Sequence, residues 1–218
     1  MYTLAFDTTA NGVSVLLSKD GKTIDLFQEE MDYGQAEVLI PEIRHILETH
    51  NIQFKDLNLT VVCTGPGSFT GVRSSISAAR AFGLACPETK IIGVSAFETY
   101  AHSLKPEELA TINAVIIETK REDFYYQLFD SKLKKTTEPT AGIYEEIIDK
   151  LRGPKVTLIG DGVNRFLNKP SGLSLHAIKM LNCPPIENLA ACGIKKYQNK
   201  IFDFPKPLYL RAPDVCTK

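Results

Sequence analysis

The sequence predicts an α/β protein of two related lobes, each a mixed sheet flanked by helices. Three observations carry this: a leading meander of short strands, a strand, glycine-rich turn, helix and strand in succession, and a second start near residue 114 that echoes the first. Thr3 to Thr8, Val13 to Ser18 and Thr23 to Gln28 are the three runs of the meander. The turns between them carry Asn11-Gly12 and Asp20-Gly21, pairs that accept the positive φ of tight hairpins.

Leu39, Ile43, Ile46 and Leu47 then recur at helical spacing and place an amphipathic helix over about Ala36 to His50, with Pro41 in its first turns or at a kink. Leu59 to Thr64 is a short apolar strand, and the Gly65-Pro66-Gly67 turn follows. A helix rich in small residues runs from about Ser68 to Ala85 until Pro87 stops it, and Lys90 to Val94 returns as a buried strand. This succession pairs strands in parallel while the meander adds antiparallel ones, so the sheet is mixed.

Lys105-Pro106-Glu107-Glu108 marks a boundary, predicting lobes over 1–105 and 106–218. Beyond it, Ala114 to Thr119 and Phe124 to Phe129 repeat the shape of Leu4 to Thr8 and Val13 to Leu17: apolar strand, acid-Thr, polar turn, apolar strand. Related lobes give such an echo, and so does the ordinary likeness of two hairpins, because only the acid-Thr pair is more than generic. A helix over Ile143 to Leu151, a strand over Val156 to Ile159, the turn Gly160-Asp161-Gly162 and a helix over Glu187 to Tyr197 complete the second half.

A chain of 218 residues with 44% hydrophobic content buries a substantial core. Its net charge of −1 provides no global cationic field, so nucleic-acid contact has to be local. The candidate patches, Lys132, Lys134 and Lys135 and then Lys195, Lys196 and Lys200, read equally as solvated faces. No apolar stretch approaches the ~20 residues of a membrane span. The five cysteines, Cys63, Cys86, Cys183, Cys192 and Cys216, include no Cys-x-x-Cys pair, which argues against a disulfide framework or zinc knuckle and points to a reducing cytoplasm.

Asp7-Thr8-Thr9 at the end of the first strand is suited to presenting a carboxylate and hydroxyls to a phosphate or its magnesium ion, and Asp161 sits in a turn that suits a second phosphate loop. Local capping of backbone amides explains the same residues. Gly65 to Thr70 places a glycine turn before helix amides suited to an anion, but Val72 stands where a Walker A loop needs lysine. The histidines offer no metal pair: His45 and His50 are five apart and diverge on one helix, while His102 and His176 are isolated. There is no Gly-x-Ser-x-Gly elbow, so no catalytic residue is identified.

The run Val61 to Arg73, with Asp7-Thr8-Thr9 before it and Gly93-Val94-Ser95 after it, resembles the TsaB (YeaZ) family of tRNA threonylcarbamoyladenosine biosynthesis proteins. Leu39-Ile40-Pro41, Gly160-Asp161-Gly162 and Pro207-Leu208-Tyr209-Leu210-Arg211 extend the likeness over essentially the whole chain. The resemblance implies an actin-like ATPase (ASKHA) fold and a non-catalytic subunit that dimerises with a homologous TsaD-like catalytic subunit. That subunit transfers threonylcarbamoyl from an adenylate to the adenosine next to the tRNA anticodon, and a TsaE-like ATPase joins the complex. The resemblance further implies a homodimer when the chain is alone, indirect contact with tRNA at most, no tightly bound cofactor, and ATP or ADP only at a complex interface.

In the catalytic paralogue a His-x-x-x-His metal pair follows the strand matching Lys90 to Val94, and here it would fall on Ala96 and Tyr100. Two departures from the family pattern are Gln35, where histidine is frequent, and Glu118-Thr119-Lys120, where Asp-Ala-Arg is frequent. The expected partner surface comprises Leu39, Ile43 and Leu47 of the first long helix and Val72, Ser75, Ile76 and Ala79 of the small-residue helix. The rival readings are an ATP-dependent phosphotransferase using Asp7, Thr8 and Asp161, and a metallopeptidase.

Overall fold

In the computed structural model, which describes residues 1–211, one pattern of eight elements occurs twice. Strands β1 (Tyr2–Asp7), β2 (Gly12–Lys19) and β3 (Lys22–Glu30) lead into helix α1 (Gln35–Thr49), then β4 (Leu57–Cys63), α2 (Phe69–Ala85), β5 (Lys90–Val94) and α3 (Ala96–Ala101). The second round is β6 (Ile112–Glu118), β7 (Asp123–Phe129), β8 (Thr140–Ile143), α4 (Tyr144–Leu151), β9 (Lys155–Gly160), α5 (Val163–Leu167), β10 (Ser174–Met180) and α6 (Ile186–Gln198). The sheets have the same order, β3-β2-β1-β4-β5 and β8-β7-β6-β9-β10. In each, the first strand pairs antiparallel with the second and parallel with the fourth. Chance likeness of two hairpins does not reproduce parallel crossovers in the same order, so the echo in the sequence marks two lobes of one topology.

Alternation along the strands builds three cores. Leu4 and Phe6 point to the outer face of the first sheet, where α1 and α2 cover them, while Ala5 points inward. Ala114 and Ile116 likewise face α4 and α5, while Val115 and Ile117 turn to the centre. The central core lies between the two sheets and is filled by α3 and α6, with Phe97, Tyr100, Ile186 and Leu189 buried in it. Strands buried on both faces read as unbroken apolar runs, as Val61-Val62-Cys63 and Ala114-Val115-Ile116-Ile117 do.

The helices closing the centre change lobes. α3 packs on β6, β7 and β9, and α6 packs on β1, β4 and β5. The 105/106 boundary separates the two sheets, yet α6 and the following tail return to the first lobe. The tail is held by Gly93 N donating to the Asp203 carbonyl at 2.8 Å and Leu208 N donating to the Thr64 carbonyl at 2.9 Å. Arg211 then pairs with Asp123 of the second lobe.

The expected partner surface is corrected by this packing. Leu39, Ile43 and Leu47 of α1 and Val72, Ser75, Ile76 and Ala79 of α2 are all at most 3% exposed and lie against the chain's own first sheet. The apolar stripe that marked these helices is the face that covers Leu4, Phe6 and Val62. The opposite face of the two helices is the exposed one, with Ile40 and Arg44 on α1 and Phe69, Arg73, Ser77 and Leu84 on α2.

The small residues of α2 serve close approach to β1. A Cβ at Gly71 would collide with the Thr8 carbonyl, and one at Gly67 with the Thr9 carbonyl. The Thr8 hydroxyl donates to the Gly71 carbonyl at 2.7 Å and lies 2.7 Å from Ser75 Oγ. Gly71→Ala forces helix and strand apart and should cost about 1–3 kcal/mol or more. Urea unfolding reads this directly, and a loss under about 0.5 kcal/mol would show the approach to be dispensable.

Candidate functional site

Parallel strands that end on the same side leave a crevice at their carboxyl ends. Here β1, β4, β6 and β9 all end around a cavity of about 800 Å³ between the lobes, lined among others by Thr9, Gly67, Ser68, Tyr100, Glu118 and Asp161. The duplication supplies matching turns on its two sides. Asp7 accepts the amide of Thr9 at 2.7 Å, and Glu118 accepts that of Lys120 at 2.6 Å, so each acid-Thr pair closes a turn onto the residue two further on. The Ser68 amide donates to the Thr9 carbonyl at 2.7 Å, and in the second lobe the Gly162 amide donates to the Ile116 carbonyl at 3.1 Å.

Of the three candidate ligands, Asp161 reaches this crevice, and Asp7, buried at the end of β1, lies just behind the lining residue Thr9. Thr8 does not reach it: it is fully buried and its hydroxyl is committed to α2. Asp161 lines the cavity and accepts the Glu118 amide at 2.9 Å. Burial pushes its carboxyl up to about 7, and the Glu118 carboxylate pushes the same way. Burial also raises Asp7, against the pull of its hydrogen bonds from Thr9. Glu118 is held down despite its burial by Arg165, which binds it at 2.7 and 2.8 Å. The guanidinium that the Glu118-Thr119-Lys120 sequence lacks thus reaches Glu118 from α5. Gln35, the other departure, lines the cavity and donates to the Met31 carbonyl at 3.0 Å.

The anion cradle anticipated at the glycine-rich turn is occupied in part by the chain itself. The Ser68 amide is spent on Thr9, and the Gly71 amide donates to Ser68 Oγ at 3.3 Å as the helix cap. The glycines are required for packing on Thr8 and Thr9.

Ala96 and Tyr100 follow β5 on one face of α3, both 1% exposed and both lining the cavity. The Tyr100 hydroxyl has no hydrogen-bond partner, and burial raises it well above the usual phenol range, with Asp161, Cys183, Asp7 and Cys63 adding to the shift. Sequence reasoning placed Tyr100 only through the resemblance and missed Cys183 and Asn182, which arrive from the irregular segment before α6. No local pattern signals a residue that the turn of a loop brings to a crevice.

The other candidates resolve structurally. Lys196 is pinned to Glu98 at 3.4 Å and Asp203 at 3.2 Å, and Lys135 lies 3.6 Å from Glu98, so these lysines are not free patches. His50 pairs with Asp25 at 2.8 Å, and His176 meets the Glu107 carbonyl at 2.9 Å. No group of three or more His, Cys, Asp and Glu side chains is arranged to hold a metal among the described residues, and no described helix is long and apolar enough to cross a membrane. Cys63, Cys86, Cys183 and Cys192 are free, and Cys216 lies outside the described residues.

Comparison with known proteins gives a consistent result. The family model for TsaD, tRNA N6-adenosine threonylcarbamoyltransferase, matches residues 32–210. The tRNA threonylcarbamoyladenosine biosynthesis protein TsaB of Escherichia coli strain K12 is 30% identical over 223 residues, spanning 97% of this chain and 95% of its own. The TsaB of Buchnera aphidicola subsp. Schizaphis graminum is 29% identical over 82% of this chain and 86% of its own. Among solved structures, YeaZ from Pseudomonas aeruginosa superposes with a TM-score of 0.82 at 20% identity, covering 96% of this chain and 99% of its own, which shows a shared fold.

The raised Asp161 carboxyl predicts a pH signature. In the unfolded chain an aspartate titrates near pH ~4, whereas in the folded chain Asp161 titrates at about 7. Between those values the folded state binds the extra proton, so this group's contribution to stability falls as pH rises. Asp161→Asn keeps the acceptor for the Glu118 amide and removes the penalty. The variant should equal wild type near pH 4 and exceed it near pH 8 by up to about 4 kcal/mol, the equivalent of moving the carboxyl from ~4 to about 7. Thermal melting at the two pH values checks this, and a variant less stable at the higher pH would contradict it.

Proposed function

Given that the chain belongs to the TsaB family of tRNA threonylcarbamoyladenosine biosynthesis proteins, we propose that it is the non-catalytic subunit supporting a TsaD-like catalytic partner in the cytoplasm. The partner adds threonylcarbamoyl to N6 of the adenosine next to the anticodon. One observation carries the reading: Ala96 and Tyr100 occupy the two positions on α3 where the resemblance places the catalytic paralogue's histidines. A methyl group and a phenol whose ionisation is pushed out of the physiological range cannot replace two imidazoles as ligands.

The partner face in this proposal is the outer surface of α1 and α2, extended by the tail. Phe69, 50% exposed, packs on Tyr209, 49% exposed, with ring centroids 5.7 Å apart at the start of α2, and Leu84, 84% exposed, lies near the other end of the same helix. Arg73 lies over the Phe69 ring at 3.7 Å and donates to the Tyr209 hydroxyl at 3.0 Å, so the patch is pre-organised. Aromatic and arginine anchors of this kind dominate protein interfaces. Alone, the chain closes the same face against a second copy, and a TsaE-like ATPase docks on the assembled pair. Contact with tRNA falls to the partner, and nucleotide is held only where subunits meet.

Two measurements test this. Depleting the protein and digesting the cellular tRNA for mass analysis should show loss of threonylcarbamoyladenosine, and an unchanged level would sink the reading. Leu84→Asp, at an exposed position, should leave the melting temperature unchanged while weakening association with the TsaD-like subunit at least about tenfold. Full-strength co-purification of that variant would place the interface elsewhere.

A further inference from the structure

The crevice between the lobes carries an unbalanced charge. Asp161 lines it, and Glu30, Asp32 and Glu37 line its mouth as exposed side chains. Against them the lining offers only Lys120 and Arg121, while Glu118 is already neutralised by Arg165. Asp7 lies just behind Thr9, and neither it nor Asp161 has an ion pair with a cationic side chain among the described residues. Of the amides at the glycine-rich turn, that of Ser68 is already spent on the Thr9 carbonyl.

An independent observation points to a missing ligand. Tyr100 is 1% exposed at the floor of the crevice, and its hydroxyl has no partner although a buried polar group without one is costly. The titratable groups whose charge it feels are carboxyls and thiols: Asp161 in the turn after β9, Cys183 before α6, Asp7 at the end of β1 and Cys63 at the end of β4. All are acceptors or weak acids and none is cationic. Among the described residues no group of three or more His, Cys, Asp and Glu side chains is arranged to hold a metal, whereas ammonium groups suit carboxylates that are spread along a crevice. Tyr33, 90% exposed at the mouth, adds a ring face that attracts cations.

We propose that this crevice binds a linear polyamine, one ammonium at the floor against Asp161 and the Tyr100 hydroxyl and another at the mouth among Glu30, Asp32 and Glu37. An extended molecule with a charge at each end meets both sets of carboxylates, which a single ammonium does not. The inference is independent of the scaffold role.

The test is calorimetric titration of the full chain with spermidine at physiological salt, where diffuse surface attraction is screened. The expected result is saturable one-to-one binding. Because Asp161 is partly protonated when the site is empty, binding should release protons near pH 7, read on wild type in two buffers of different ionisation enthalpy. Asp161→Asn should weaken binding at least about tenfold. Tyr100→Phe should weaken it about fivefold while leaving the melting temperature equal or higher, since it deletes an unpartnered hydroxyl. An N-acetylated lysine amide, carrying one charge, should bind at least about tenfold more weakly than spermidine. Equal affinity would assign the site to a partner's side chain and overturn the polyamine. Absence of saturation or of proton release by wild type, or binding indifferent to both variants, would overturn the site itself.

Discussion

The contact between the start of α2 and the end of β1 is the constraint on which the first lobe depends. Gly67 and Gly71 lie against the carbonyls of Thr9 and Thr8, and the Thr8 hydroxyl reaches across to α2. Any side chain at either glycine would lift the helix from the sheet. With the helix seated, Val72, Ile76 and Ala79 cover Leu4, Phe6 and Val62, and the exposed side of α2 turns outward with Phe69, Arg73 and Leu84. One close approach therefore fixes the core, the outward face and the wall of the crevice together. The second lobe repeats the device with Gly160 and Gly162 against Ile116 and its neighbours.

The repeated topology explains why a crevice lies between the two lobes. Each lobe contributes an acidic turn and a glycine turn, so the crevice persists whatever lines it. In this chain α3 brings Ala96 and Tyr100 to it, and the Ser68 amide after the glycine turn bonds the Thr9 carbonyl. Neither Ala96 nor Tyr100 offers an imidazole to the crevice. What remains is rigid support: α6 from the second round closes the first sheet, α3 from the first closes the second, and the tail ties Asp123 to the first lobe through Arg211. Such exchange makes the two lobes one mechanical unit.

Much of this was legible in the residues. The apolar runs and turn pairs locate β1 to β7 and β9 to within about two residues of their observed ends, and the acid-Thr echo marks a real repeat. The elements that escaped are short or weakly patterned: β8 spans Thr140–Ile143, α5 is a single turn and a half, and β10 is an edge strand with Leu175, Ile178 and Met180 exposed. Periodicity gave the apolar stripes of α1 and α2 correctly but not what they face, because a helix stripe against its own sheet and one against a partner have the same spacing. Thr8 shows the same limit, since a hydroxyl beside an acid reads as a ligand until the helix it bonds is placed. Tyr100, Asn182 and Cys183 meet only because α3 and the segment before α6 cross between lobes, which no local pattern encodes.

Reconstitution from purified components tests the central claim most directly. Threonylcarbamoyl transfer to unmodified tRNA would be measured with this chain alone, with a TsaD-like subunit alone, and with both plus a TsaE-like ATPase and the adenylate. The account predicts no product from this chain alone and a product level with the partner that rises on its addition. Modified tRNA formed by this chain without the partner would contradict it.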